Sequence, residues 1–261
     1  MIQKSGCGKP HLSVNRVTKG VCRCIMLAML ALGPHASATA IANSSIQLQS
    51  LTVTPASGSI VLSPAAQSFA QAQNSLGELV SNSDSGATAN SSALVTWANG
   101  SGSADSISRT ASTSANVNIP NVTGAANSVG RASLFDTSFS ITGTTGPVSV
   151  QFSATLPYMQ SLMTDIYGVQ ATSEVIFNLT IDGSAVLFLD SPLVVGPGMS
   201  LSTSGSPTLT NSMTLTAGQA YDLFLEIDSE SSGINATPEP ATLSLLAGGA
   251  LLAVTRRRPH S

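Results

Sequence analysis

Val148-Ser149-Val150-Gln151-Phe152-Ser153-Ala154-Thr155-Leu156 alternates apolar and polar residues without a fault. A pleated strand sends successive side chains to opposite faces. The stretch therefore sets Val148, Val150, Phe152, Ala154 and Leu156 on one face and the hydroxyls and the amide on the other. A helix would scatter both sets around its surface. A half-buried strand of an antiparallel sheet is what such a pattern specifies.

The same period returns on either side. Val175, Phe177, Leu179 and Ile181 alternate, Asp182-Gly183 turns the chain, and Ala185, Leu187 and Leu189 come back. Asp-Gly between two alternating runs is a hairpin signal, because both residues accept positive φ. Met213 and Leu215 precede a turn at Ala217-Gly218-Gln219, and Tyr221, Leu223, Leu225 and Ile227 make a last strand. Upstream, Phe135, Phe139 and Ile141 are read onto one face. The expected fold class is all-β: an antiparallel β-sandwich, jelly-roll-like or Ig-like, with one or two short helices. Ser63-Pro64 offers a cap and a first helical residue, followed by Ala65, Phe69, Ala72, Leu76 and Leu79 at spacings of four and three. A second helical turn is expected within 157–169, through Tyr158, Leu162 and Ile166. Residues 81–130 are a Ser/Asn/Ala/Gly-rich stretch in which only Ala93-Leu-Val-Thr-Trp-Ala98 stands out as a strand. Trp97, the sole tryptophan, is read as a core anchor in preference to a sugar platform.

Charge is sparse, at 9% of residues, and unevenly placed. Lys4, Lys9, Arg16, Lys19 and Arg23 precede an apolar run; Arg256, Arg257 and Arg258 close the chain. Residues 41–236 hold two arginines, Arg109 and Arg131, against twelve carboxylates, a net −10. Such a surface repels phosphate backbones, so no nucleic-acid partner is expected. The cysteines (Cys7, Cys22, Cys24) and histidines (His11, His35, His260) all lie outside this stretch. A Ser-His-Asp or Ser-Lys hydrolase therefore lacks its base, and a Cys/His metal site lacks its ligands. Carboxylates remain as chemistry: Asp182 and Asp190 flank the hairpin, and Asp222, Glu226 and Asp228 face away from Tyr221 and Leu223. On a strand face these are read as solvated surface in preference to a glycosidase pair. Asp228-Ser229-Glu230 lacks the spaced loop of an EF-hand. No catalytic residue, no metal and no cofactor is expected.

Both chain ends read as addresses. Basic residues, the run Ile25-Met-Leu-Ala-Met-Leu-Ala-Leu-Gly33 and Pro34-His-Ala-Ser-Ala-Thr-Ala40 compose a secretory signal over 1–40, a signal helix with cleavage after Ala38 or Ala40. At the other end, Pro238-Glu239-Pro240 precedes an apolar run, and Arg256, Arg257 and Arg258 abut that run. Residues 242–255 would span about 21 Å as a helix, against a hydrocarbon core of about 30 Å, a marginal anchor. The arginines would stop transfer and stay cytoplasmic, leaving the body, 41–236, outside.

The segment 237–261, with Pro238-Glu239-Pro240-Ala241-Thr242, the Leu/Ala/Gly run and Arg256 to Arg258, resembles the PEP-CTERM sorting domain. Thr237 stands where that family more often has valine. The resemblance covers about a tenth of the chain, so it speaks to address and not to activity. It implies export by Sec-type machinery, transient residence in the inner membrane, and recognition of the Pro-Glu-Pro element by an exosortase. It also implies a bacterium that makes exopolysaccharide. The stretch 214–228 resembles, more loosely, the β-sandwich bodies common in such proteins. The expected function is a non-catalytic structural or adhesive role at the cell surface or in an exopolysaccharide biofilm. A carbohydrate-binding module is the alternative, and a carboxylate glycosidase the third reading.

Overall fold

The structure, a computed structural model, describes residues 39–120, 122–166 and 168–236. The signal helix, the C-terminal membrane helix, Ala38, Pro238, Glu239, Pro240, Arg256, Arg257 and Arg258 lie outside the described residues. The body is all-β. Sixteen strands are all paired antiparallel, and the described residues include no helix.

One layer is a seven-stranded sheet. Its order is β13 (Ser184–Val195), β12 (Gly168–Ile181), β16 (Ala220–Asn235), β9 (Gly124–Thr142), β4 (Ala65–Asn74) and β5 (Leu79–Gly86), with β3 (Ser59–Val61) also on β9. The facing layer has two parts. A six-stranded sheet runs β14 (Ser200–Gly205), β11 (Tyr158–Thr164), β1 (Thr39–Leu48), β8 (Thr110–Pro120), β7 (Ala98–Asp105) and β6 (Thr88–Val95). A three-stranded sheet runs β15 (Thr208–Thr216), β10 (Pro147–Thr155) and β2 (Ser50–Pro55). The two orders correspond, because β14, β11 and β1 each connect in sequence, across one or two residues, to β15, β10 and β2.

The Val148–Leu156 alternation forms β10 and the residue after it, with Val148, Val150, Phe152, Ala154 and Leu156 all buried. Phe139 meets Phe152 across the layers at 6.3 Å and Tyr221 within its own sheet at 6.4 Å between ring centroids. Val175, Phe177, Leu179, Leu223, Leu225 and Ile227 complete this aromatic and aliphatic half of the core. Asp182-Gly183 has positive φ at both residues, 49° and 74°, as a two-residue type I′ hairpin requires.

The other half of the core is built differently. Its inward residues are mostly alanines: Ala42, Ala70, Ala72, Ala93, Ala98, Ala126 and Ala171. Hydroxyls join them. Ser44 Oγ donates to the Glu230 carbonyl at 2.8 Å, Ser231 Oγ to the Ala115 carbonyl at 2.9 Å, and Thr113 pairs with Ser229 at 2.6 Å. Side chains this short bring the layers into close approach. A Cβ on Gly130 would stand inside hard contact with the Ser101 carbonyl oxygen and 2.6 Å from that of Ser114. The Ser/Asn/Gly stretch is therefore packed structure, holding β5, β6, β7, β8 and the start of β9. Weak hydrophobicity hid strands whose inward side chains must be small.

Four expectations are corrected. Residues 65–74 form strand β4 and not a helix; Ala66, Ser68, Ala70, Ala72 and Asn74 point inward, with Gln67, Phe69, Gln71 and Gln73 between them. The small residues set a period of two that outweighed the spacing of the larger ones. Residues 158–164 are strand β11, not a helical turn. Phe135 does not share a face with Phe139: between the pairs Asp136↔Leu223 and Phe139↔Tyr221, Thr137 and Ser138 together oppose Asp222, and this β-bulge reverses the parity. A second irregularity, at Val186, likewise leaves Ala185 exposed while Leu187 is buried.

Candidate functional site

The parity that buries Tyr221, Leu223, Leu225 and Ile227 places Asp222, Phe224, Glu226, Asp228 and Glu230 on the outer face of the seven-stranded sheet. Register then decides what stands beside them. One row across the face reads Ser83, Phe69, Arg131, Asp228; the next reads Ser85, Gln67, Ser133, Glu226. Phe224 lies opposite Phe135 in the row beyond. These rows enclose a groove of about 510 Å³, with Phe69 and Phe224 flanking Arg131 and Glu226, and Ser83, Asp84 and Ser85 of the edge strand as one wall.

Arg131 organises the groove. Its Nε donates to Asp228 Oδ1 at 2.7 Å and lies 3.6 Å from Glu226 Oε2. The Asp228 side chain is 7% exposed and that of Arg131 is 44% exposed, so the carboxylate is desolvated while the guanidinium reaches the surface. The hydrogen bond from Arg131 compensates a charge that burial would otherwise penalise. It also holds the guanidinium more firmly protonated than usual. Burial, reinforced by the Asp228 charge, pushes the Glu226 carboxyl above the ordinary value, against the opposing pull of Arg131.

A smaller hollow of about 230 Å³ continues the face, lined among others by Glu174, Glu230, Thr172 and Pro192. Burial raises Glu174, followed by its hydrogen bond with Asp190 and the charges of Asp190, Glu230 and Asp228. Among the described residues, no group of three or more His, Cys, Asp or Glu is arranged to hold a metal ion.

The residues weighed from the sequence separate. Glu226 and Asp228 share the groove, whereas Asp182 and Asp222 are tied together at the far hairpin, where Asp222 N–H donates to Asp182 Oδ1 at 2.8 Å. Trp97 stands elsewhere, half-buried with φ 78° in the two-residue turn between β6 and β7, so Ala93–Ala98 is a hairpin turn with its flanks and not the single strand expected. Its ring lies against Gly124, where a Cβ would be 2.7 Å from Trp97 Cζ3. Ala40 is fully buried within β1, paired with Ile119 and Thr164.

The sequence reading missed Phe69, Phe224 and Arg131 as groove residues. Phe224 carried a signal, since it breaks the alternation of a strand whose odd positions are apolar. Arg131 carried none, because its partner is 97 residues away.

The outer face of the six-stranded sheet differs in chemistry. Asn43, Asn116 and Asn99 stand in one cross-strand row that ends at exposed Leu94, and Ser45, Ser114, Ser101 and Ser92 in the next, where exposed Met159 pairs with Ser45; amides and hydroxyls fill the rows between these two apolar residues.

No protein-family model matches the chain, and neither a curated protein nor a solved structure shows significant similarity to it.

Proposed function

We propose that this chain is an exported, exosortase-sorted protein of the cell surface or extracellular matrix, acting non-catalytically in exopolysaccharide or biofilm. Its body, an antiparallel β-sandwich, adheres to saccharide through the groove on the seven-stranded sheet. That groove is the observation that carries the reading and favours a carbohydrate-binding module over a purely structural part. Phenylalanine faces accept the C–H surface of a pyranose, and an ordered guanidinium and carboxylate supply opposite hydrogen-bonding ends. The Arg131–Asp228 bond engages Nε, leaving the four Nη N–H groups for ligand oxygens. The acidic body disfavours anionic polymers, so the expected ligand is a neutral glycan.

The sorting reading rests on Pro238, Glu239, Pro240 and the arginines that follow. Replacing Pro238, Glu239 and Pro240 by alanine should leave export intact and block processing, so that the chain accumulates in the inner membrane. Wild-type distribution of that variant would remove the motif as the recognition element. Cleavage of the signal after Ala38 would keep all of β1, whereas cleavage after Ala40 would remove a buried, doubly paired residue. Mass spectrometry of the exported form should therefore find Thr39 as the first residue.

A glycosidase is the competing reading, because Glu226, its pKa raised by burial, shares the groove with a second carboxyl group, Asp228. Deleting the protein should alter matrix cohesion without removing a hydrolytic activity. Polysaccharide turnover by the purified chain, abolished in Glu226→Gln, would make it an enzyme instead.

A further inference from the structure

Both ends of the body leave from one end of the layers. Thr39 opens β1 beside Pro120, and Asn235 closes β16 beside Gly124 and Gly168. A Cβ on Gly168 would lie 2.7 Å from the Thr39 carbonyl oxygen. The β4–β5, β6–β7, β8–β9, β11–β12 and β13–β14 connections turn at this same end.

These connections are apolar where loops are ordinarily polar. Leu76 is 62% exposed, Ile166 71%, Met199 56% and Val122 38%, with Leu94 (71%) and Leu79 (59%) on the adjoining strand ends. The connections at the opposite end read Ala56-Ser57-Gly58, Gly143-Thr144-Thr145-Gly146, Asp182-Gly183 and Ala217-Gly218-Gln219, without one large apolar residue; Leu62 of the β3–β4 link packs against the core, and Val61 (43%) is exposed on the adjoining strand end. Ile107, in the β7–β8 turn, is an isolated exception elsewhere. Charge at the apolar end is confined to two hydrogen-bonded carboxylates. Glu78 is engaged by the Asn74 side chain and the Thr96 N–H, Asp165 accepts from the Gly168 N–H, and these connections contain no lysine or arginine.

Chain length limits where this end can be. Seven residues lead from Asn235 to Thr242, the start of the apolar C-terminal run, and span at most about 25 Å. We propose that this end of the body docks on the lipid bilayer, seating Leu76, Ile166 and Met199 in the interface while the C-terminal segment holds the chain there. The inference rests on the reading of residues 242–255 as a membrane segment. Exposed apolar side chains clustered on one surface favour the headgroup–acyl boundary, entering it by about 5–10 Å. With two carboxylates and no cation, these turns gain nothing from anionic lipid, so the contact is made to a zwitterionic surface. Docking would also hold Pro238-Glu239-Pro240 at the membrane face until the chain is processed.

Trp97 supplies the probe, being the sole tryptophan and placed at this end. The full chain is reconstituted in phosphatidylcholine vesicles whose acyl chains are brominated near the headgroup. The wild type should co-float with the vesicles and lose most of its Trp97 emission relative to unbrominated lipid, at low and high salt alike. Leu76→Ser/Ile166→Ser/Met199→Ser should co-float equally and keep several-fold more of that emission. Co-flotation with an unquenched wild-type Trp97 overturns the docking and leaves the membrane segment standing. Equal quenching in the triple variant also overturns it. A chain that fails to co-float removes the membrane reading and the docking with it. Unquenched Trp97 with cross-linking of chains through these turns would assign the surface to a second copy.

Discussion

Gly130 is where one added carbon would do the most damage. Its missing Cβ is the space taken by the Ser101 and Ser114 carbonyls of the facing layer, both backbone atoms that no rotamer change can move. Gly130→Ala should cost about 3 kcal/mol or more, read as a lower denaturant midpoint. A cost within a few tenths would mean that the layers stand farther apart. At Arg131, replacement by alanine strands the desolvated Asp228 carboxylate, with an expected loss of roughly 1–3 kcal/mol by chemical denaturation. Glu174 acts through pH. Its folded pKa lies above the ordinary 4.5, so its contribution to stability is complete below that value and is lost as pH rises through the folded pKa. Glu174→Gln should therefore melt higher than wild type at neutral pH, with the difference vanishing below the ordinary glutamate pKa. A difference that grows on acidification would contradict the crowding by Asp190 and Glu230.

At the scale of elements, legibility followed side-chain size. The strands β10, β12 and β16 were plain in the sequence because large apolar residues mark their inward positions. β4 was misread because its inward positions are Ala66, Ser68, Ala70, Ala72 and Asn74, while Phe69 points out. Phe69, Leu76 and Leu79 trace a helical period that masks the weaker alternation of small residues with glutamine. The bulge at Thr137–Ser138 was likewise invisible, since a parity change is fixed by pairing with β16 and not by local composition. Phe69 was lost to the groove with the first of these errors, because it comes from the misread strand, and Arg131 for a separate reason, its distant partner Asp228. One substitution separates helix from strand. In the helical reading Ala70 faces away from the apolar stripe, and Ala70→Leu would be nearly neutral. In β4 it is fully buried between close layers, so Ala70→Leu should cost about 1–3 kcal/mol by thermal or chemical unfolding.

On the scale of the whole molecule, the body divides its surfaces by chemistry. One sheet face carries a groove of phenylalanine, arginine and carboxylate, and the other rows of asparagine and serine bordered by Leu94 and Met159. The turns beside Thr39 and Asn235 are apolar, and those at the opposite end are small and polar. The sequence conveyed the all-β class because that class depends on local runs of alternating residues. It did not convey the faces, which exist only once register sets residues from four strands side by side. The most direct measurement is native affinity electrophoresis of the full chain in detergent, through gels containing a neutral soluble glycan such as hydroxyethyl cellulose or galactomannan. Wild type should be retarded by at least one of them. Phe69→Ala/Phe224→Ala should migrate as in a glycan-free gel, and Asn116→Ala on the opposite sheet should be retarded like wild type. Retardation of the double variant equal to wild type, or free migration of wild type through every glycan, would contradict saccharide adhesion through this groove.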